Sequence, residues 1–173
     1  MHNPIHNLKI GDKAPETVTS VIEIPRGSHN KYEYDEEREV FTLDRVLYSP
    51  MHYPLDYGFI PETRSEDGDH LDILVIGSEP LFTGCVLDAR PVALLEMIDD
   101  NEKDYKILAV QSANPRLGHL KDLKDIESWN GHLLKEITHF MESYKHLEGK
   151  KADVNAWKDV KAAQDEIRRA QEM

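Results

Sequence analysis

The apolar residues of this chain change their period once, and that switch restricts the fold more than any other feature. Up to about Gln111 they recur at every second residue; beyond about Ser128 they recur every three to four. Val18 to Ile24 alternates and stops at Pro25, Lys31 to Asp35 reads as a short aromatic strand, and Val40 to Tyr48 is rich in β-branched and aromatic residues. Asp72 to Ile76 is a compact apolar run. Thr83 to Met97 is long for one strand and contains Pro91, which predicts a bulge or bend. Tyr105 to Gln111 alternates again, with residues 100 to 103 as a hairpin tip. Then Leu133, Ile137, Phe140, Met141, Tyr144 and Leu147 mark one face of a helix from about Ser128 to Leu147, ending at Gly149. A second helix is expected from Asp159, as N-cap, to Glu172. Strands followed by two helices predict an α+β domain, a small barrel-like sheet packed by helices. Residues 1 to 16 read as an N-terminal arm with turn residues Pro4, Gly11 and Pro15.

At 173 residues the expectation is a single domain, 1–173. No apolar run approaches the ~20 residues needed to span a bilayer. The first residues lack the basic start and apolar stretch of a secretory signal. Cys85 is the sole cysteine, so no internal disulfide can form, and the cytoplasm is the expected compartment. The net charge of −12 makes an acidic, soluble surface and a poor partner for a nucleic-acid backbone.

The densest chemistry is Asp67-Gly68-Asp69-His70-Leu71-Asp72. Three carboxylates in six residues repel one another unless a hard cation neutralises them, and carboxylate oxygens suit Mg²⁺. Asp67 and Asp69 share a face if extended; a turn at Gly68 must bring Asp72 round. A calcium loop counted from Asp67 would want Gly sixth and Glu twelfth, where Asp72 and Ser78 stand, so that reading fails. Asp99 and Asp104 flank the hairpin tip, and opposed positions there would let them share a metal. Lys106 follows Asp104 on the same side. Glu23 sits among apolar residues before Pro25, Lys31 and Glu33 alternate with tyrosines, and Arg45 lies on a strand. Singly, each reads more readily as an edge charge; Tyr53, Tyr57 and Tyr144 singly read as core, and Lys145 as surface.

Together these residues resemble the family I soluble inorganic pyrophosphatases. The signature D-x-D-x-x-D is met by Asp67, Asp69 and Asp72. It is joined in order by Val21-Ile22-Glu23-Ile24-Pro25, Lys31-Tyr32-Glu33, Asp44-Arg45, Tyr53-Pro54 with Tyr57-Gly58, Arg90-Pro91-Val92, Asp99, Asp104 with Lys106, and Tyr144-Lys145. The resemblance covers about residues 15 to 160. His70 and Ala93 depart from it, standing where proline and glycine are usual; His70 removes a φ restriction beside the acidic turn.

The resemblance implies an OB-type five-stranded β-barrel with flanking strands and two C-terminal α-helices. It implies hydrolysis of pyrophosphate by a metal-activated water, with several Mg²⁺ ions per site and Mn²⁺ or Zn²⁺ as substitutes. Asp67, Asp72 and Asp104 would hold the metals that generate the nucleophile, and Asp99 with Asp104 one that arrives with substrate. Glu23 and Glu33 would act through metal-bound waters. Asp69 would be the general base, with Tyr57 tuning it; Lys31 and Arg45 would hold the leaving phosphate, and Lys106, Tyr144 and Lys145 the attacked one. A homohexamer, a dimer of trimers, is implied, with His139, Ser143 and His146 at helical spacing near its contacts. The alternative is a non-catalytic OB-fold module that binds divalent cations or a phosphorylated ligand, since OB barrels serve many functions.

Overall fold

The computed structural model describes residues 4–172; the first three residues of the expected arm and Met173 lie outside them. The strands are β1 (Val18–Ile24), β2 (Asn30–Asp35), β3 (Val40–Val46), β4 (Asp56–Phe59), β5 (Asp72–Ile76), β6 (Val86–Asp99), β7 (Glu102–Lys103), β8 (Lys106–Gln111) and β9 (Ala152–Lys158). The helices are α1 (Leu123–Ser143) and α2 (Val160–Glu172). Following the ladder β1-β4-β5-β8-β6, and noting that β1 pairs with β6 as well, closes a ring of five strands. That ring is the expected barrel. Hairpin β2–β3 forms a separate two-stranded sheet, and β7 and β9 extend β6.

Both faces of the barrel strands are buried, which explains why β5 and β8 read as near-continuous apolar runs. Leu74, Ile76, Leu108 and Val110 pack with Ile137, Phe140 and Met141 of α1. Ile73, Val75, Ile107 and Ala109 pack in a second cluster with Ala163, Ile167 and Ala170 of α2. Two bulges switch a strand from one cluster to the other. The β6–β8 register slips between Pro91 and Ala93, as Pro91 predicts. The β1–β4 register slips between Ile22 and Ile24, so these two isoleucines fall in different clusters and Glu23 is the extra residue. Opposite this bulge, a Cβ on Gly58 would lie 1.8 Å from the Val21 carbonyl oxygen, so only glycine allows β1 and β4 to approach.

Several boundaries differ from the sequence expectation. Helix α1 begins at Leu123, because Asp122 and Asp125 form a reciprocal capping box ahead of the apolar stripe. A non-helical residue, Asn130, then breaks the phase of that stripe. The helix ends at Ser143 and a 3₁₀ turn, His146–Glu148, leads to left-handed Gly149, so His146 lies off the helical face of His139 and Ser143. Asp159 does cap α2, its Oδ1 accepting from Ala162 N at 3.0 Å. Strand β9 was not foreseen: among the described residues it pairs only with β6, and it carries the half-polar sequence of an edge strand. The hairpin tip is tighter than expected. Asp100 and Asn101 turn with positive φ, and Asp99 faces Glu102 rather than Asp104.

Candidate active site

Six strands, the Asp67–Asp69 turn and the end of α1 converge on one cavity of about 430 Å³. Glu23, Lys31, Glu33, Tyr57, Asp67, Asp69, Asp72, Asp99, Asp104, Lys106, Tyr144 and Lys145 all line it. Arg45, alone among the residues expected to bind metal or substrate or to act in catalysis, does not line it. Its Nε donates to Glu148 Oε1 at 3.1 Å and its guanidinium also pairs with Asp44.

The parallel register of β5 and β8 sets Asp72 beside Lys106 at the mouth of the barrel. Lys106, only 3% exposed, donates to Asp72 Oδ2 at 2.6 Å and to Asp104 Oδ1 at 2.7 Å. Burial works against its charge, yet the two carboxylates outweigh burial and hold its pKa above the ordinary lysine value. Tyr57 OH donates to Asp72 Oδ2 at 2.5 Å, so its direct partner is Asp72 rather than Asp69. Burial, then Asp72, raises the pKa of Tyr57 well above the usual phenol value, and it remains a donor.

Asp67, Gly68 and Asp69 form a turn, not an extended segment. Asp67 Oδ1 accepts from Asp69 N at 3.0 Å, and Gly68 supplies the left-handed φ of 89°. Burial, with Asp67, Asp72 and Glu33 close by, raises the pKa of Asp69. Glu23 is aimed into the cavity by the β1 bulge. Burial pushes its pKa up to about 8, although Tyr34 N donates to Oε1 at 2.7 Å. Lys31 pairs with Glu33 and lies 3.6 Å from Asp44. Tyr144, the C-cap of α1, stacks on Phe140 with ring centres 4.8 Å apart, and burial raises its pKa. Lys145, next in the chain, pairs with Asp99 Oδ2.

Eight carboxyl groups, Glu36 included, and three lysines surround this space. Among the described residues, no three His, Cys, Asp or Glu side chains already stand together as an ion cage; Lys106 bridges Asp72 and Asp104, and Lys145 pairs with Asp99. The donor set nevertheless fits hard divalent cations, being all oxygen and far in excess of the basic groups. Asp99 Oδ1 is buried without a hydrogen-bond partner, a cost of about 1–3 kcal/mol that a cation ligand position would relieve.

The family model for inorganic pyrophosphatase matches residues 20–173. The chain belongs to the inorganic pyrophosphatase family. It is 52% identical over 149 residues to the inorganic pyrophosphatase of Halalkalibacterium halodurans, covering 86% of this chain and 90% of that one. It is 51% identical over 160 residues to that of Methanosarcina acetivorans, covering 92% and 94%. The crystal structure of the Thermus thermophilus inorganic pyrophosphatase superposes with a TM-score of 0.93 at 46% identity, covering 99% of this chain and 98% of that one. Beyond the residues expected to bind metal or substrate or to act in catalysis, the cavity is lined by Ile24, Tyr32, Tyr34, Glu36, Phe59 and His70. Glu36 gave no signal in sequence, since it is one of several acids in a hairpin tip. Glu148 was equally invisible as the partner of Arg45, lying 103 positions away.

Proposed function

We propose that this chain hydrolyses inorganic pyrophosphate to two orthophosphates with divalent cations, Mg²⁺ by default and Mn²⁺ or Zn²⁺ as alternatives. The observation that carries this reading is an oxygen-only acidic donor set and three lysines around one cavity, with Asp69 between Asp67 and Asp72. Phosphoryl transfer needs chiefly positioning and charge neutralisation, and this set supplies both. Bound divalent cations would supply the positive charge that admits an anionic substrate and would acidify the attacking water.

Asp67, Asp72, Asp99 and Asp104 are the ligands in this reading, with Glu23 and Glu33 behind them. Tyr57 orients Asp72 through its hydroxyl. Asp69 takes the proton from water, and its upward pKa shift makes it a stronger base than a free aspartate. Lys106, Tyr144 and Lys145 hold the attacked phosphate. Lys31 holds the leaving one with Arg45, its cross-strand partner in the hairpin. Exposed Val40, Leu43, Val46, Tyr48 and Phe82 are apolar surface that further copies of the chain would cover, and the homohexamer implied by the family resemblance would supply those copies. The lone Cys85 supports a cytoplasmic site of action. No described helix is long and apolar enough to cross a membrane.

Phosphate release from pyrophosphate by the purified chain, with each cation in turn and then with chelator, tests the proposal. Turnover with Mg²⁺ that stops on chelation is expected. No release with any of the three cations would refute it.

A further inference from the structure

Hairpin β2–β3 carries Lys31 and Glu33 to the cavity, yet among the described residues it has no ladder to the barrel. Backbone bonds fix only its root, where Gly27 N donates to Tyr53 O and Tyr53 N to Ser28 O, so beyond the root its position rests largely on contacts that involve side chains. At its base, Arg45 meets Glu148. Midway, Tyr34 N donates to Glu23. Its tip is held by a cluster that the reaction chemistry does not use.

The cluster centres on His70. Its ring stacks on Phe59 at 4.8 Å and 10°, and Phe59 in turn stacks on Tyr34 of the hairpin at 6.0 Å. His70 Nε2 lies 2.8 Å from Glu36 Oε1, in the loop between β2 and β3. Its Nδ1 lies 2.7 Å from Arg64 Nη1 and 2.8 Å from the Thr63 carbonyl oxygen. A neutral ring protonated on Nε2 donates to Glu36 and accepts from Arg64 at once. Arg64 also donates to Glu36 Oε2 at 3.1 Å, while its backbone N–H donates to the Ala170 carbonyl of α2 at 2.8 Å. The segment behind the ring is firm: Thr63 Oγ1 donates to Ile60 O at 2.6 Å and accepts from Leu71 N at 2.9 Å.

We propose that His70 is a positioning residue: through Glu36 its ring fastens the β2–β3 hairpin to the turn that carries Asp67, Asp69 and Asp72. An exposed Glu36–Arg64 pair alone would contribute little, since about half of each side chain meets water. His70 differs, because it is half-buried, stacked on Phe59 and held at Nδ1 by Arg64, so it offers Glu36 a fixed donor. The fastening sets the distance between the Lys31 side of the cavity and the acidic turn facing it. Substrate binding should feel its loss more than the chemical step does. The kinetic part of this inference rests on the proposed hydrolysis; the mechanical part does not.

His70→Phe keeps the stack on Phe59 and removes both nitrogen contacts. Glu36→Ala removes the partner from an exposed loop, where folding is not at stake. Hydrogen exchange of residues 30–46 and 64–71, with steady-state kinetics, reads both. Each variant should speed exchange at the hairpin tip about 10-fold. Each should raise KM for magnesium pyrophosphate about 3- to 10-fold with kcat within about twofold, and the double variant should be no worse than either single one. Unchanged tip exchange in both single variants, or fully additive effects in the double, would overturn the proposal. A wild-type chain that turns over no pyrophosphate would remove the functional reading, while exchange would still decide whether His70 fastens the hairpin.

Discussion

Replacing Lys106 with methionine removes one buried charge and leaves two of opposite sign facing each other. The ammonium is 3% exposed and lies 2.6 and 2.7 Å from Asp72 and Asp104. Breaking a buried ion pair from one side costs about 3–5 kcal/mol, because the remaining charge is stranded. The side chains of Asp72 and Asp104 are still 27% and 20% exposed, so water relieves part of that penalty. The lower end, about 3 kcal/mol, is therefore expected in chelator. For a domain of this size that corresponds to a fall in Tm of roughly 6–12 °C. Saturating Mg²⁺ replaces the missing positive charge at the same two carboxylates, and more than half of the deficit should disappear. Differential scanning calorimetry of wild type and Lys106→Met, each with chelator and with Mg²⁺, gives the four melting temperatures needed. An equal deficit in both conditions would refute the charge reasoning and point to lost packing by the lysine stem. A deficit below about 1 kcal/mol in chelator would mean that the two acids had simply taken up protons.

Three further outcomes are expected. Asp69→Asn should keep its fold and most of its Mg²⁺ affinity while kcat falls at least ~10²-fold, the scale of general-base loss; near-normal turnover would remove Asp69 from that role. Glu148→Ala removes the acid that holds Arg45 Nε and leaves Asp44 on its guanidinium, so KM for pyrophosphate should rise about 3- to 10-fold with little change in kcat, and an unchanged KM would show that Arg45 needs no fixing by Glu148. Asp56, 2% exposed, has its pKa raised by burial although Arg26 N and Leu81 N both donate to its Oδ1. A raised acid binds its proton more tightly in the native state, so its contribution to stability falls as pH climbs above the ordinary value of 3.8. Urea midpoints should therefore show Asp56→Asn gaining on wild type from about pH 4 to pH 7, and a constant gap would contradict the shift.

Local order was legible wherever it follows from neighbours in the chain. The strand from Val18 to Ile24, the bulge at Pro91, the Asp159 cap and the turn at Gly68 are each decided by a few adjacent residues, and each lies where the residues place it, although the bulge at Glu23 breaks the strand's alternation. The acidic signature was legible for a related reason: carboxylates crowded within six residues repel one another wherever the chain goes, so their chemistry is announced before any folding. Side-chain parity also correctly placed Lys106 beside Asp104. What sequence could not supply were relations made across the fold. Asp99 faces Glu102 because two left-handed residues tighten the hairpin. Arg45 turns from the cavity to Glu148, and Tyr57 reaches Asp72 rather than Asp69. His70 passed as a mere departure from a pattern until Glu36 stood 2.8 Å away. Residue type and spacing thus determined which groups carry charge and which segments alternate. The closing of the barrel and the docking of the hairpin decided which charges meet, because a Coulomb contact depends on distance in space and sequence separation does not encode that distance.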